Sequence, residues 1–179
     1  MKIGDYFSAC QRGVLIGSVA CSMLTIESLT ARAQAHHASG GGTYFVAPGM
    51  RSEFQFNQAH VQCKVGHGVM PDGTVMQMFM FSTSVDSATI DSAAKTVRLT
   101  GSMSSTVNLK SPDGTTISMT ESVPFEAFAK DNSTPGGGAD FFSITVLYDP
   151  HAPKPNQFGL FGSPATFAGT LVTGNVTVD

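Results

Sequence analysis

A chain of 179 residues with a formal net charge of −3 and only 13% charged residues has no basic surplus to draw nucleic acid or an anionic membrane. Three cysteines exclude a dense disulfide framework, and the absence of tryptophan removes the side chain most suited to stacking on sugars. Hydrophobic residues at 41% are enough for one buried core.

Lys2 and Arg12 precede or flank the apolar run GVLIGSVACSML, whose length suits a signal peptide and not a membrane span. Ala33-Gln34-Ala35 then offers a small-x-small cleavage site before His36. A lipoprotein alternative at Val19-Ala20-Cys21 has Ser18 where a branched apolar residue belongs, and apolar sequence continues beyond the cysteine. The expected organisation is a signal peptide over residues 1–35, a flexible lead over 36–42 and one β domain over 43–179, secreted or periplasmic. Cleavage takes Cys10 and Cys21 away and leaves Cys63 alone, so the mature chain has no internal disulfide and no CxxC site. Cys63 then reads as a buried small hydrophobe, with an intermolecular bridge or a reactive thiol as the alternative.

The mature start, HHASGGGTYFVAPG, reads as a glycine-serine lead into a strand from Thr43 to Ala47. His36 and His37, with the amine that cleavage frees, form a candidate copper chelate, and Met76, Met78 and Met80 carry thioethers suited to Cu(I). The competing reading is two exposed tail histidines and methionines that fill a core. SEFQFN sets Phe54 and Phe56 against Glu53 and Gln55, one face dry and one wet. Met70-Pro71-Asp72-Gly73-Thr74 is a hairpin corner, and TVMQMFMFS a strand covered on both faces. His60 and His67 lie between SEFQFN and the methionine strand, and His67, flanked by glycines, is expected in an exposed loop.

From Ser82 onward serine and threonine dominate, and short alternating units at 88–91, 96–102, 106–109 and 115–119 read as separate strands. A second corner, Pro112-Asp113-Gly114, echoes the first. The strongest local signal is VPFEAFAKDNSTPGGGADFFSITVLY, residues 123–148, two strands joined by a polar glycine-rich turn. Val123, Phe125, Ala127 and Ala129 form an inward set, and Phe142, Ile144, Val146 and Tyr148 an unbroken apolar row.

This stretch, with the terminal FAGTLVTGNVTVD, resembles the secreted bacterial β-domains of post-COAP type. Asp131, Asn132, Pro135, Gly136, Asp140, Phe142 and Ile144 match the "DNGEPG-x-GD-x-F-x-I" core, and Gly169, Leu171, Gly174 and Asn175 match the "G-x-L-x-GGN-I-x-I" ending. Ser133 and Thr134 depart from the pattern, and the glycine run has an extra residue. The resemblance implies a β fold and export, and the family has no established activity.

Between the two matched parts, the proline-rich segment with Pro150, Pro153, Pro155 and Pro164 reads as an irregular loop. Its Phe158, Leu160 and Phe161 either plug one end of the fold or form a contact patch. In the last strand Leu171, Thr173, Asn175 and Thr177 alternate with Val172, Gly174, Val176 and Val178, with a bulge expected at Gly174.

The expected fold is all-β, an antiparallel β-sandwich or flattened barrel of about eight to ten short strands. No G-x-S-x-G occurs, and the acids fall mostly in turns, so a non-catalytic module is expected, structural or binding an extracellular or envelope protein. The alternative is a periplasmic metal-binding protein. Asp131, Asn132 and Asp140 bracket glycines as a Ca²⁺ loop would, or bond their own backbone as Asx-turns.

Overall fold

Period-two alternation needs one dry face, and the chain supplies it by closing its sheet on itself. A computed structural model describes residues 36–132, 139–148 and 164–179, which form a closed barrel of eight antiparallel strands. In chain order these are β1 (Ala38–Ala47), β2 (Met50–Asn57), β3 (His60–Val69), β4 (Val75–Asp91), β5 (Thr96–Lys110), β6 (Thr116–Lys130), β7 (Phe141–Val146) and β8 (Ala165–Val178). Each strand pairs with the next, and β8 returns to pair with β1. Closure leaves no sheet-to-sheet interface, so the architecture is a barrel and not a sandwich. Residues 1–35, where a signal peptide was expected, residues 133–138 and residues 149–163, with Phe158, Leu160 and Phe161, lie outside the described residues.

Three strands are long. β4 has 17 residues and β5 and β6 have 15 each, where separate short units were expected at 88–91, 96–102, 106–109 and 115–119. The reason lies in β4, whose register against β5 slips between Ser82 and Ser84 and again between Val85 and Ser87. Each bulge flips the side to which following residues point, so one strand shows interrupted alternation.

The expected flexible lead is also corrected, because β1 begins at Ala38 and takes in Gly40, Gly41 and Gly42. Gly42 lies opposite Gly174 of β8, and a Cβ on Gly42 would stand 2.3 Å from the carbonyl oxygen of Thr173. A Cβ on Gly174, whose φ is +103°, would stand 2.1 Å from the carbonyl oxygen of Gly41. The glycine run is thus a site of close backbone approach that closes the barrel. The ring of Phe56 covers Gly40, supplying the apolar surface that glycine lacks. The β8 bulge falls at Val172, between the pairs Thr43–Thr173 and Tyr44–Leu171, so Leu171 is buried and Val172 faces outward.

The two Pro-Asp-Gly corners join β3 to β4 and β5 to β6 at one end of the barrel. Asp72 Oδ1 accepts the Thr74 N–H at 2.9 Å and Asp113 Oδ1 accepts the Thr115 N–H at 2.9 Å, while Gly73 and Gly114 take φ of +81° and +88°. These backbone bonds hold both carboxyls below the usual aspartate range.

The interior is a packed core. Phe54 and Phe142 stack with centroids 4.0 Å apart, and Tyr44 meets Phe142 at 5.8 Å. Phe142, Ile144 and Val146 are fully buried and Tyr148 nearly so, each Phe- or Ile-sized side chain contributing about 1.5–3 kcal/mol by burial. Met76, Met78, Met80 and Met103 fill the same space, and Met50, Met70 and Met119 pack against it. Charged Glu53, Lys64, Arg98 and Glu126 project from mid-strand on the outer wall, opposite the apolar interior. A membrane-spanning barrel has the reverse arrangement. Among the described residues no helix is long and apolar enough to cross a membrane.

Candidate functional site

Period-two geometry sends every second residue of a strand outward, and pairing lines those residues up across strands. On β1 to β4 this builds two adjacent outward rows, Thr43–Glu53–Lys64–Phe79 and Gly41–Gln55–Gln62–Phe81. Over them runs a groove of about 620 Å³, and a smaller one of about 210 Å³ adjoins it at Arg51, Glu53 and Lys64. Inside the barrel, by contrast, no water-sized space remains between Phe56, Leu99, Ala127 and Phe142. Among the described residues, the roomier groove thus lies on the outer wall.

The groove is mixed, with charged and amide side chains beside the rings of Phe79 and Phe81. Gln62 Nε2 donates to Gln55 Oε1 at 3.0 Å, and the Lys64 ammonium lies 5.8 Å from the centroid of the Phe79 ring. Phe81 is 47% exposed beside them. Among the described residues the one ion pair joins Arg98 to Glu126 on the other side of the barrel, so Arg51, Glu53 and Lys64 face the groove without a salt bridge.

The residues singled out from sequence are placed elsewhere. Asp140 is 4% exposed, and its carboxylate accepts the N–H of Asn132 at 2.9 Å and of Val176 at 2.7 Å, while its carbonyl accepts the N–H of Leu171 at 2.8 Å. Asp131 Oδ2 lies 3.4 Å from the N–H of Val178, and the Asn132 amide donates to the carbonyl of Ala139. The acidic turn is thereby stitched to β8, and its oxygens are aimed at N–H hydrogens. The turn after β6 and the terminal strand thus meet at these bonds.

His36 Nδ1 lies 2.8 Å from Ser92 Oγ and 3.3 Å from the Asp179 carbonyl oxygen, and the His37 carbonyl accepts the Asp179 N–H at 2.9 Å. His60 begins β3, exposed, with Nδ1 3.2 Å from Ser82 Oγ, and His67 belongs to β3 where a loop was expected. Among the described residues no three His, Cys, Asp or Glu side chains converge as a metal ion requires.

Cys63 is 3% exposed, and burial pushes its thiol up to about 12. Tyr44 Oη lies 3.5 Å from its sulfur, and burial first, then Cys63, pushes the Tyr44 hydroxyl well above the usual range. The groove escaped sequence reasoning because its residues come from four strands whose register is not written in any one of them. The SEFQFN alternation, which marks Glu53 and Gln55 as outward, was the one available sign.

The fold and the groove define a closed eight-stranded antiparallel barrel with a packed apolar core and a groove on its outer wall. No family model, curated protein or solved structure matches the chain.

Proposed function

We propose that this chain is an exported, non-catalytic β-barrel module that binds an extracellular or envelope partner through the groove on β1 to β4. The observation that carries the reading is the contrast between a filled interior and an outer groove with Arg51, Glu53 and Lys64 free of salt bridges. Export rests on the basic and apolar amino-terminal run with its small-x-small site at Ala33–Ala35, and on the resemblance over residues 123–148 and 167–178. The negative net charge sets nucleic acid aside as a partner.

The full chain, tagged and expressed in a bacterial host, is expected outside the cytoplasm with His36 as its first residue. The purified barrel is expected to sediment with isolated cell envelopes, and the Arg51→Ala/Lys64→Ala variant to lose that retention. An uncleaved cytosolic product, or equal retention of the variant, refutes the reading.

Metal binding is a second reading. Cleavage after Ala35 leaves an amine on His36, and that amine with Nδ1 makes a Cu(II) chelate once Nδ1 gives up its contacts to Ser92 and Asp179. Stoichiometric copper in the processed protein, lost in His36→Ala, is the outcome that would establish it.

A further inference from the structure

We infer that the β1–β4 groove takes an acidic polysaccharide, with Arg51 and Lys64 meeting carboxylates, Gln55 and Gln62 meeting hydroxyls, and Phe81 stacking on a sugar ring. The inference rests on the proposed binding role and names the ligand class. Four observations lead to it.

First, the strands beneath the groove are continuously paired, β1 with β2 and β8, β2 with β3, and β3 with β4. An extended peptide has no free strand edge here to add to, so recognition is left to side chains. Second, the Gln62–Gln55 bond uses one donor and one acceptor. It leaves the Gln55 amide N–H groups and the Gln62 carbonyl side by side on a rigid sheet, a planar donor and acceptor pair suited to vicinal hydroxyls.

Third, two cations face one carboxylate in the groove, on a chain whose net charge is −3. Lys64 is held over Phe79, and the Arg51 guanidinium has a free fork for a bidentate carboxylate. Fourth, Phe81 stands 47% exposed next to Gln62, with Phe79 in the adjoining outward row. The C–H face of a pyranose packs on such a ring, beside amides that meet its hydroxyls. An acidic peptide would satisfy the same cations, and competition with poly-glutamate separates the two. The groove crosses four strands, about 14 Å at sheet spacing, which is the breadth of a short run of sugars.

The test is native gel electrophoresis of the processed barrel through gels carrying alginate, polygalacturonate or neutral dextran. Slower migration is expected in the two polyuronate gels alone, weakening with added salt. Phe81→Ala and Arg51→Ala/Lys64→Ala are expected to abolish it, and Lys110→Ala/Lys130→Ala, cations on other strands, to leave it intact. All are surface changes, and melting curves confirm that each variant is folded.

Retardation by dextran as well, or loss of retardation in the Lys110/Lys130 variant, overturns the inference. So does displacement by poly-glutamate at equal charge, which would assign the groove to acidic peptides. If Arg51→Ala/Lys64→Ala loses envelope retention while no polyuronate slows the native protein, this inference falls and the binding role stands. If envelope retention does not depend on the groove, both fall.

Discussion

The carboxylate of Asp140, on the connection from β6 to β7, accepts the backbone N–H of Val176 in β8 at 2.7 Å. Its other oxygen takes the N–H of Asn132 at 2.9 Å, and its own carbonyl the N–H of Leu171 at 2.8 Å. One nearly buried residue thus ties the turn after β6 to the strand that closes the barrel.

Replacing Asp140 by Ala leaves one buried and one half-buried N–H group without acceptors, an expected loss of about 2–4 kcal/mol. Asp140→Asn keeps one acceptor but turns an amide donor toward an N–H, so a smaller loss is expected. Asp72→Ala, which removes a similar bond from an exposed corner, is expected to cost least. Urea unfolding of the three variants gives the ranking, and equal midpoints for Asp140→Ala and Asp72→Ala would refute it.

The same bond shows how far the sequence could be read. Asp131, Asn132 and Asp140 were legible as turn residues, because local side-chain-to-backbone bonding is a property of a short stretch. Their bond to β8 was not, since Val176 is distant in sequence and only closure brings it near. Phe54 and Phe56 against Glu53 and Gln55, and Met76, Met78 and Met80 as one face, follow from period two alone, and all five apolar members are buried. Alternation fails as a guide where bulges reset it, so Val85 and Ile90 in β4 and Leu171 and Val176 in β8 change parity without a break in the strand. Gly40–Gly42 carry no hydrophobic pattern and read as flexible, because what fixes them is the approach of another backbone. The groove likewise exists only once four registers are set.

The glycines of the closure seam are expected to be far less replaceable than those of the turns. Gly174→Ala combines a φ of +103° with a Cβ placed 2.1 Å from the Gly41 carbonyl oxygen, and β1 and β8 must separate to admit it. A loss above about 3 kcal/mol is expected, with weakened protection of β1 amides from hydrogen exchange. Gly114→Ala keeps a comparable φ of +88° but meets nothing within 4 Å, so only the left-handed strain of about 1–2 kcal/mol remains. Similar thermal midpoints for the two variants would show that close approach is not what these positions require.

Calcium gives a test of the acidic turn. A cation held by Asp131, Asn132 and Asp140 requires oxygens aimed at a common point, and both Asp140 oxygens are aimed at N–H groups instead. Millimolar calcium or a chelator is therefore expected to leave the melting temperature unchanged. A ligand at about a hundredfold over its Kd would add about 2.7 kcal/mol to the native state, a shift plain in a melting curve. Such a shift, lost in Asp131→Ala, would restore the calcium reading.

Stability is expected to fall steeply in alkali because of one buried thiol. Cys63 has its pKa pushed up to about 12 by burial, while in the unfolded chain a thiol titrates near its ordinary value of about 8.5. Below that ordinary value both states hold the proton and the contribution to stability is complete. Between the two values the unfolded chain releases the proton and the native chain keeps it, so unfolding is favoured by about 1.4 kcal/mol per pH unit. Tyr44, raised in the same direction, adds to the slope only above the ordinary tyrosine value of about 10. Urea midpoints taken from about pH 8 to about pH 10 should therefore fall for the native sequence and stay nearly level for Cys63→Ala. At the lower end of that range the thiol, 3% exposed and protonated, should resist a disulfide reagent until the barrel opens, at a rate set by unfolding. Rapid labelling of the folded protein, or a Cys63→Ala variant with an undiminished alkaline slope, would mean that the interior face of β3 is open to water.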